Sequence, residues 1–285
     1  MKRHKSVHKM ATRFAGGFAK YLVLIFIFAF LLFPVYWMLV TSLKTNVESY
    51  RLVPTLWPEQ LSVEGYQTLI SDGKFLVYYK NNILVSAAAA VLICFISVFA
   101  GYALSRFHFK WNVMLLATFS FAQMMPVISR LISLYTILRK LNLTDTHLGL
   151  VLAISATQIP FTVSLMASFF DGIPRELEEA ASIDGSGRFY TLFHIIMPLV
   201  VPGLLAVGVY SFLMTWDDYL HAITLIRSTD LWTLSQGLKL TYLGEVSDWQ
   251  LINSASTLGT IPMIFVFFFF QKYMIKGLTA GAVKG

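Results

Sequence analysis

The sequence predicts an all-α polytopic membrane protein with six transmembrane helices, and three observations carry that prediction. Hydrophobic residues make up 56% of the chain and charged residues only 13%, with a mean hydropathy of +0.66. Six apolar runs stand out, at about 21–43, 83–104, 112–129, 148–170, 199–226 and 251–271. Each is of the order of the roughly 20 residues that a hydrocarbon core about 30 Å thick requires. No strand-like alternation at barrel spacing is present, which excludes an outer-membrane barrel. The same composition argues against a soluble enzyme.

The first run follows a basic stretch, residues 1–20, with Lys2, Arg3, Lys5, Lys9, Arg13 and Lys20. A cleaved signal is the alternative reading. The apolar stretch of 23 residues is longer than a signal core, and no small-x-small cleavage site follows it. It therefore reads as a retained span with Pro34 tolerated inside it. Residues 1–20 form a basic N-terminal extension, and 21–285 form one six-span domain.

Six spans place both termini on one side. With the N-terminus inside, the inner segments hold 13 of the 22 Lys and Arg residues and the outer segments 9. The short loop Arg106-Phe107-His108-Phe109-Lys110 gives that bias most of its force. The positive-inside rule then predicts cytoplasmic termini. The net charge of +7 belongs to this topology and to the anionic inner leaflet, with no nucleic acid implied.

This topology puts the loop from Asp171 to Met197 in the cytoplasm, and its residues suit a docking element. Pro174 fits a first helical position. Glu176, Glu178 and Glu179 crowd the first turns, where the helix dipole favours negative charge. Gly185 after Asp184 is a natural terminator. A second helix, near Arg188 to Ile196, is expected to run to Pro198 at the membrane. Leu177, Ala180, Ala181 and Asp184 share a stripe, and the two alanines keep that face thin enough for a groove on a partner. An ordinary interfacial helix-turn-helix with the same capping is the plainer alternative.

Spacing decides between them. Glu179-Ala180-Ala181, three residues, Gly185, nine residues, Ile195, one residue and Met197-Pro198 resemble E-A-A-x3-G-x9-I-x-L-P. That is the EAA loop of permease subunits in ATP-binding-cassette importers; Met197 stands where the family has Leu. The resemblance implies the type I importer permease fold with 171–198 as its cytoplasmic coupling loop. Glu179, Ala180, Ala181, Gly185, Ile195 and Pro198 would then be the ATPase-coupling residues. Glu179 would meet a basic residue of the ATPase, and Gly185 would form the bend. Gln271-Lys272-Tyr273 and the segment Gly277 to Gly285 further resemble the tail of the second permease in maltose-type carbohydrate importers. On that likeness 273–285 is a cytoplasmic tail reaching the ATPases, with Gly277, Gly281 and Lys284 among its matching residues. A frayed terminus is the alternative.

The ATPase is expected to be another chain. No G-x4-G-K-[ST] is present: Gly73-Lys74 is followed by Phe75 and has no glycine five residues before Gly73. The resemblance therefore implies no cofactor on this chain, with ATP and Mg held by two partner ATPase subunits. It also implies a second related permease and an extracytoplasmic solute-binding protein. The cargo would be a carbohydrate, an oligosaccharide before a monosaccharide.

Candidates for the transport path are fewer. Trp216-Asp217-Asp218-Tyr219 is similar to the W-N-[ED]-[FY] of these permeases, with Asp217 in place of Asn. A helix starting at Leu199 would carry Asp217 about 27 Å up, near the outer interface. A later start would leave the acid near mid-membrane, facing a cavity, at a cost of about 2.5–3.5 kcal/mol. Gln123 and Gln158 stand beside Pro126 and Pro160, and either line the path or bond neighbouring helices. The small residues Ser86 to Ala90 read as a packing surface. In the outer loop, Ser228 to Gln250, the aromatic residues Trp232, Tyr242 and Trp249 are either an interfacial belt or, by the resemblance, part of a contact with the binding protein.

Cys94 is alone, so no intrachain disulfide can form. His4 and His8 have H-x3-H spacing but no third ligand, so no metal site is expected. His194 reads as a helix-surface residue of the coupling loop. An ion-coupled secondary transporter is the rival class, and it would need repeat symmetry and coupling-ion carboxylates, for which only Asp217 and Asp218 offer themselves. An intramembrane hydrolase would need a nucleophile elbow at depth, and Gly185-Ser186-Gly187 supplies neither the pattern nor the place. The sequence thus reads as a permease that catalyses no chemistry itself.

Overall fold

The computed structural model describes residues 2–107, 110–242 and 248–280, with side chains described over 20–107, 110–242 and 248–273. Among the described residues the long elements are all helices. In chain order they are α1 (Lys2–Ser42), α2 (Glu64–Asp72), α3 (Lys74–Arg106), α4 (Asn112–Met124), α5 (Val127–Lys140), α6 (His147–Asp171), α7 (Glu176–Ile183), α8 (Arg188–Trp216), α9 (Leu220–Leu225) and α10 (Trp249–Ala280). The chain divides into two compact units, residues 1–71 with 245–258, and residues 72–244 with 259–285.

In the first unit the apolar part of α1, Lys20–Ser42, leaves Tyr21, Phe26, Phe30 and Leu31 exposed, as a lipid-facing helix does. Its end is tied down by polar contacts. The Ser42 hydroxyl donates to Leu39 O (2.7 Å) and pairs with the Tyr66 hydroxyl (2.6 Å), and the Ser254 hydroxyl lies 3.3 Å from Ser42 O. Gly65 is required there, because a Cβ would lie 2.6 Å from Ser254 Oγ. Beyond α1, buried Glu48 organises the loop. It accepts from the Thr55 hydroxyl and from the Glu59 N–H (3.2 Å). Burial raises the Glu48 pKa, but the Thr55 and Glu59 hydrogen bonds with the Lys44 and Arg51 charges outweigh it and hold the carboxyl below its usual range.

The second unit is built on α3, which packs along α6 and α8 around Ile93, Leu150, Ile154, Met166, Phe170, Ile196 and Val207. Gly101 lets α3 and α6 approach, since a Cβ there would sit 2.9 Å from Met166 Cβ. Ser97 donates to Thr162 across the same seam (2.9 Å).

Among the described residues five helices are long and apolar enough to span a membrane, and a bent pair makes a sixth crossing if counted as one. The third predicted span, 112–129, is that pair: α4 and α5 meet at 106°. Met125 is extended (φ −68°, ψ 136°), as a residue before proline tends to be, and Pro126 cannot continue the helix. The fifth predicted span, 199–226, is also shifted. Its helix starts at Arg188 and stops at Trp216, where Asp217 and Asp218 interrupt it before α9.

Candidate functional site

The expected coupling loop is a helix with a defined stop. α7 carries Glu176, Glu178 and Glu179 in its first turn. It begins after Pro174, with Arg175 at the cap position, so the proline precedes the helix and does not open it. Gly185 takes φ +81°. The Ser186 N–H donates to Ala181 O (2.9 Å) and the Gly185 N–H to Ser182 O (3.1 Å), which satisfies the carbonyls at the helix end and needs a left-handed residue. The second helix does not stop at the membrane. α8 runs from Arg188 through Pro198 to Trp216, and a wider π turn at Leu192–Ile196 absorbs the proline that would otherwise break it.

α7 has two differently used faces. Glu178 turns inward, where its carboxylate is 2.5 Å from Arg106 Nε and accepts from the Tyr102 hydroxyl at 3.0 Å. Arg106 also donates to Ile173 O (3.1 Å), and Arg175 donates to Ser105 O (2.8 Å). The Ser105 hydroxyl donates to Asp171 Oδ1 (2.6 Å), and Arg188 lies over the Phe107 ring. A cleft of about 330 Å³ opens beside this cluster, lined by Tyr102, Arg106, Arg175, Glu178, Glu179 and Arg188. On the outward face Glu179 and Ala180 are exposed, as are Leu177 and Ile183.

Sequence reasoning put Ala180 and Ala181 on one free face. The structure separates them: Ala181 is buried against its own chain, and Ile183, 86% exposed, completes the free face instead. Ile195 is half-buried against the core and Pro198 is exposed. Gly277 lies in the backbone of α10, whereas Gly281 and Lys284 lie outside the described residues.

The pathway candidates are not brought together. Gln158 bonds a neighbouring helix, its Nε2 donating to Thr215 Oγ1 (3.1 Å), while its Oε1 is buried with no hydrogen-bond partner. Gln123 is exposed near the α4 break. Asp217 is exposed at the end of α8. Asp218 caps α9: it accepts the His221 N–H (2.9 Å), and its other oxygen is 2.7 Å from His221 Nδ1.

At the opposite end of α3 lies a second cluster that spacing did not reveal. Asn81 donates to Asp230 O (2.8 Å) and Trp232 O (3.0 Å), and Asn82 donates to Trp216 O (3.1 Å). The Tyr78 ring packs on Trp232 and closes over Gly237, where a Cβ would be 2.1 Å from the ring. Tyr242 is buried, and burial with nearby Asp72 pushes its hydroxyl up to about 12. Trp232 therefore holds the segment after α9 to α3. Asp145 stitches the same end. It accepts from the Ser228 hydroxyl (2.6 Å) and from the N–H groups of Arg227 (2.8 Å) and Ser228 (2.9 Å). These bonds, the Ser228 hydroxyl first, hold its pKa below the carboxylate range.

Among the described residues no group of His, Cys, Asp or Glu has the arrangement of a metal site. Comparison with known proteins agrees with the helical plan. Residues 93–280 match the family model described as binding-protein-dependent transport system inner membrane component. The sulfoquinovosyl glycerol transport system permease protein SmoH of Agrobacterium fabrum is 34% identical over 255 residues, covering 89% of each chain. The trehalose/maltose transport system permease protein MalG of Thermococcus litoralis is 32% identical over 258 residues, 89% of this chain and 92% of that one. Among solved structures, a chain of a bacterial ABC transporter involved in import of the acidic polysaccharide alginate superposes with a TM-score of 0.79 at 22% identity. It covers 90% of this chain and 95% of that one.

Proposed function

Since the chain belongs to the binding-protein-dependent transport system inner membrane component family, we propose that it is one permease of a carbohydrate importer, driven through α7 by partner ATPases. It is a transport subunit and performs no catalysis; ATP and Mg belong to the ATPase chains. The cargo reading rests on the relatives, whose names include sulfoquinovosyl glycerol and trehalose/maltose. The full assembly would add a second related permease and an external binding protein. Positive-inside charge puts α7 and both termini in the cytoplasm.

One observation carries the docking assignment. On a helix whose inward acid, Glu178, is held by its own chain, the neighbouring Glu179 is free, with Ala180 and Ile183 exposed beside it. A thin face with one free carboxylate and one apolar tip suits a groove bearing a basic residue. The ion-coupled alternative loses one of its two carboxylates, because Asp218 is spent on capping α9, and the other, Asp217, is exposed at a helix end.

The test is binding-protein-stimulated ATP hydrolysis by the reconstituted complex, with neutral and uronate oligosaccharides as cargo. Glu179→Lys is expected to abolish stimulation while the chain still folds. Undiminished stimulation in that variant would remove the docking role from this face.

A further inference from the structure

We propose that α3 is the member that carries displacement of the coupling helix to the outer loop, and that Arg106, Tyr102, Asn81 and Asn82 are its positioning residues. The proposal rests on the reading of α7 as the coupling helix.

Four observations point to it. First, α3 is a continuous helix of 33 residues, about 50 Å long at 1.5 Å per residue. Second, it contains no proline. Pro34, Pro160, Pro202 and Pro262 lie inside the other long apolar helices, and Pro126 separates α4 from α5. A proline removes a backbone hydrogen bond and marks where a helix bends. α3 has no such point, alone among the long apolar helices described.

Third, both of its ends are clamped to segments remote in sequence, by polar groups with little water access. At one end the Arg106 side chain is 6% exposed and the Glu178 side chain 19%. The guanidinium grips α7 through Glu178 and the segment before it through Ile173 O. At the other end Asn81 and Asn82 are buried and donate to the carbonyls of Asp230, Trp232 and Trp216. Fourth, the side of α3 between the clamps is packed, with Ser97 bonded to Thr162, and Cys94 Sγ 3.8 Å from Leu204 O. Movement of α7 therefore cannot leave α3 behind without breaking a desolvated ion pair. Movement of α3 cannot leave residues 230–232 behind without orphaning an amide and two carbonyls. α7 is also joined to α6 and α8 through the chain itself, but Pro160 and Pro202 each remove a backbone hydrogen bond from those two helices.

The decisive experiment uses the assembled transporter with Cys94→Ala and an environment-sensitive fluorophore on Lys239→Cys, an exposed outer-loop position. The readout is the fluorescence change on trapping the ATPases with ATP, Mg and vanadate. Arg106→Glu and Glu178→Arg are each expected to reduce that change about tenfold, within the usual range of allosteric coupling. Basal hydrolysis and association with the ATPases should persist, because Glu179 and Ala180 are untouched. The double swap Arg106→Glu/Glu178→Arg is expected to restore most of the response. Should the single variants not assemble, Asn81→Leu at the far clamp, about 38 Å along α3 from Arg106, decides the matter by the same readout. A wild-type response in the single variants, or in Asn81→Leu, overturns the proposal. Failure of the coupling reading looks different: Glu179→Lys would then leave stimulated hydrolysis intact.

Discussion

Two carboxylates, Glu178 and Asp145, join segments far apart in sequence, and they do so with different materials. Asp145 meets two backbone amides and one hydroxyl, all from Arg227 and Ser228. Glu178 meets side chains alone, the Arg106 guanidinium and the Tyr102 hydroxyl. A joint to backbone amides fixes a loop whatever side chains that loop carries. A joint between side chains holds only while both partners keep their charge and reach, and here it links α3 to α7 beside the Arg175 bond to Ser105 O. The Asp145 joint is thus a fastening and the Glu178 joint a linkage.

The sharpest way to break this contrast is to remove each carboxylate in turn. Glu178→Ala strands a nearly buried guanidinium, and a loss of about 2–3 kcal/mol is expected, read as a lower thermal midpoint in detergent and as loss of stimulated hydrolysis. Asp145→Ala leaves two amides without their acceptor and should cost about 2 kcal/mol, with no change in coupling per folded transporter. Equal functional loss in both would erase the distinction.

Acid sharpens it further. The folded pKa of Asp145 is depressed, so its contribution is complete above the ordinary carboxylate value of about 3.9 and is lost as pH falls through the lower folded value. Protection of the Arg227 and Ser228 amides, taken relative to their intrinsic exchange at each pH, should fall below about pH 4 in wild type, while Asp145→Asn should show no such dependence. Smaller effects lie around α7. Tyr102→Phe removes one of the two partners of Glu178 and should cost about 1 kcal/mol. Gly185→Ala, forced into φ +81°, should cost about 1 kcal/mol and shorten α7 by fraying its end, seen as faster exchange at Asp184 to Ser186.

How much of this was legible beforehand depends on whether the signal was local. The EAA spacing located α7, and Gly185 marked its end because a helix terminator is a property of one residue. Hydropathy found every apolar run, but averaging over a window hides a single break. The run through Pro126 therefore read as one span, and the run through Asp217-Asp218 as an unbroken one. The residues that hold the site together lay beyond spacing rules. Arg106 and Glu178 are 72 positions apart and Asn81 and Asp230 are 149, and no periodicity links such partners. One clue was present: Arg106 ends an apolar run where a charge needs an answering group, and Glu178 is the acid that faces it once α7 folds. Ala181 misled because adjacent helical residues point about 100° apart, so one alanine of the pair had to turn inward.

Lys80 and Arg106 bracket the uninterrupted stretch of α3 at a separation of about 39 Å. A bilayer with its headgroup regions measures about 40–45 Å. The hydrocarbon core alone is about 30 Å thick, so both charges can rest in the polar layers with the helix upright or tilted by up to about 40°. A slide along the membrane normal of more than about 9 Å would carry one of them into hydrocarbon. Long vertical travel is thereby closed to the helix, and tilting or turning about its own length is the motion left to it.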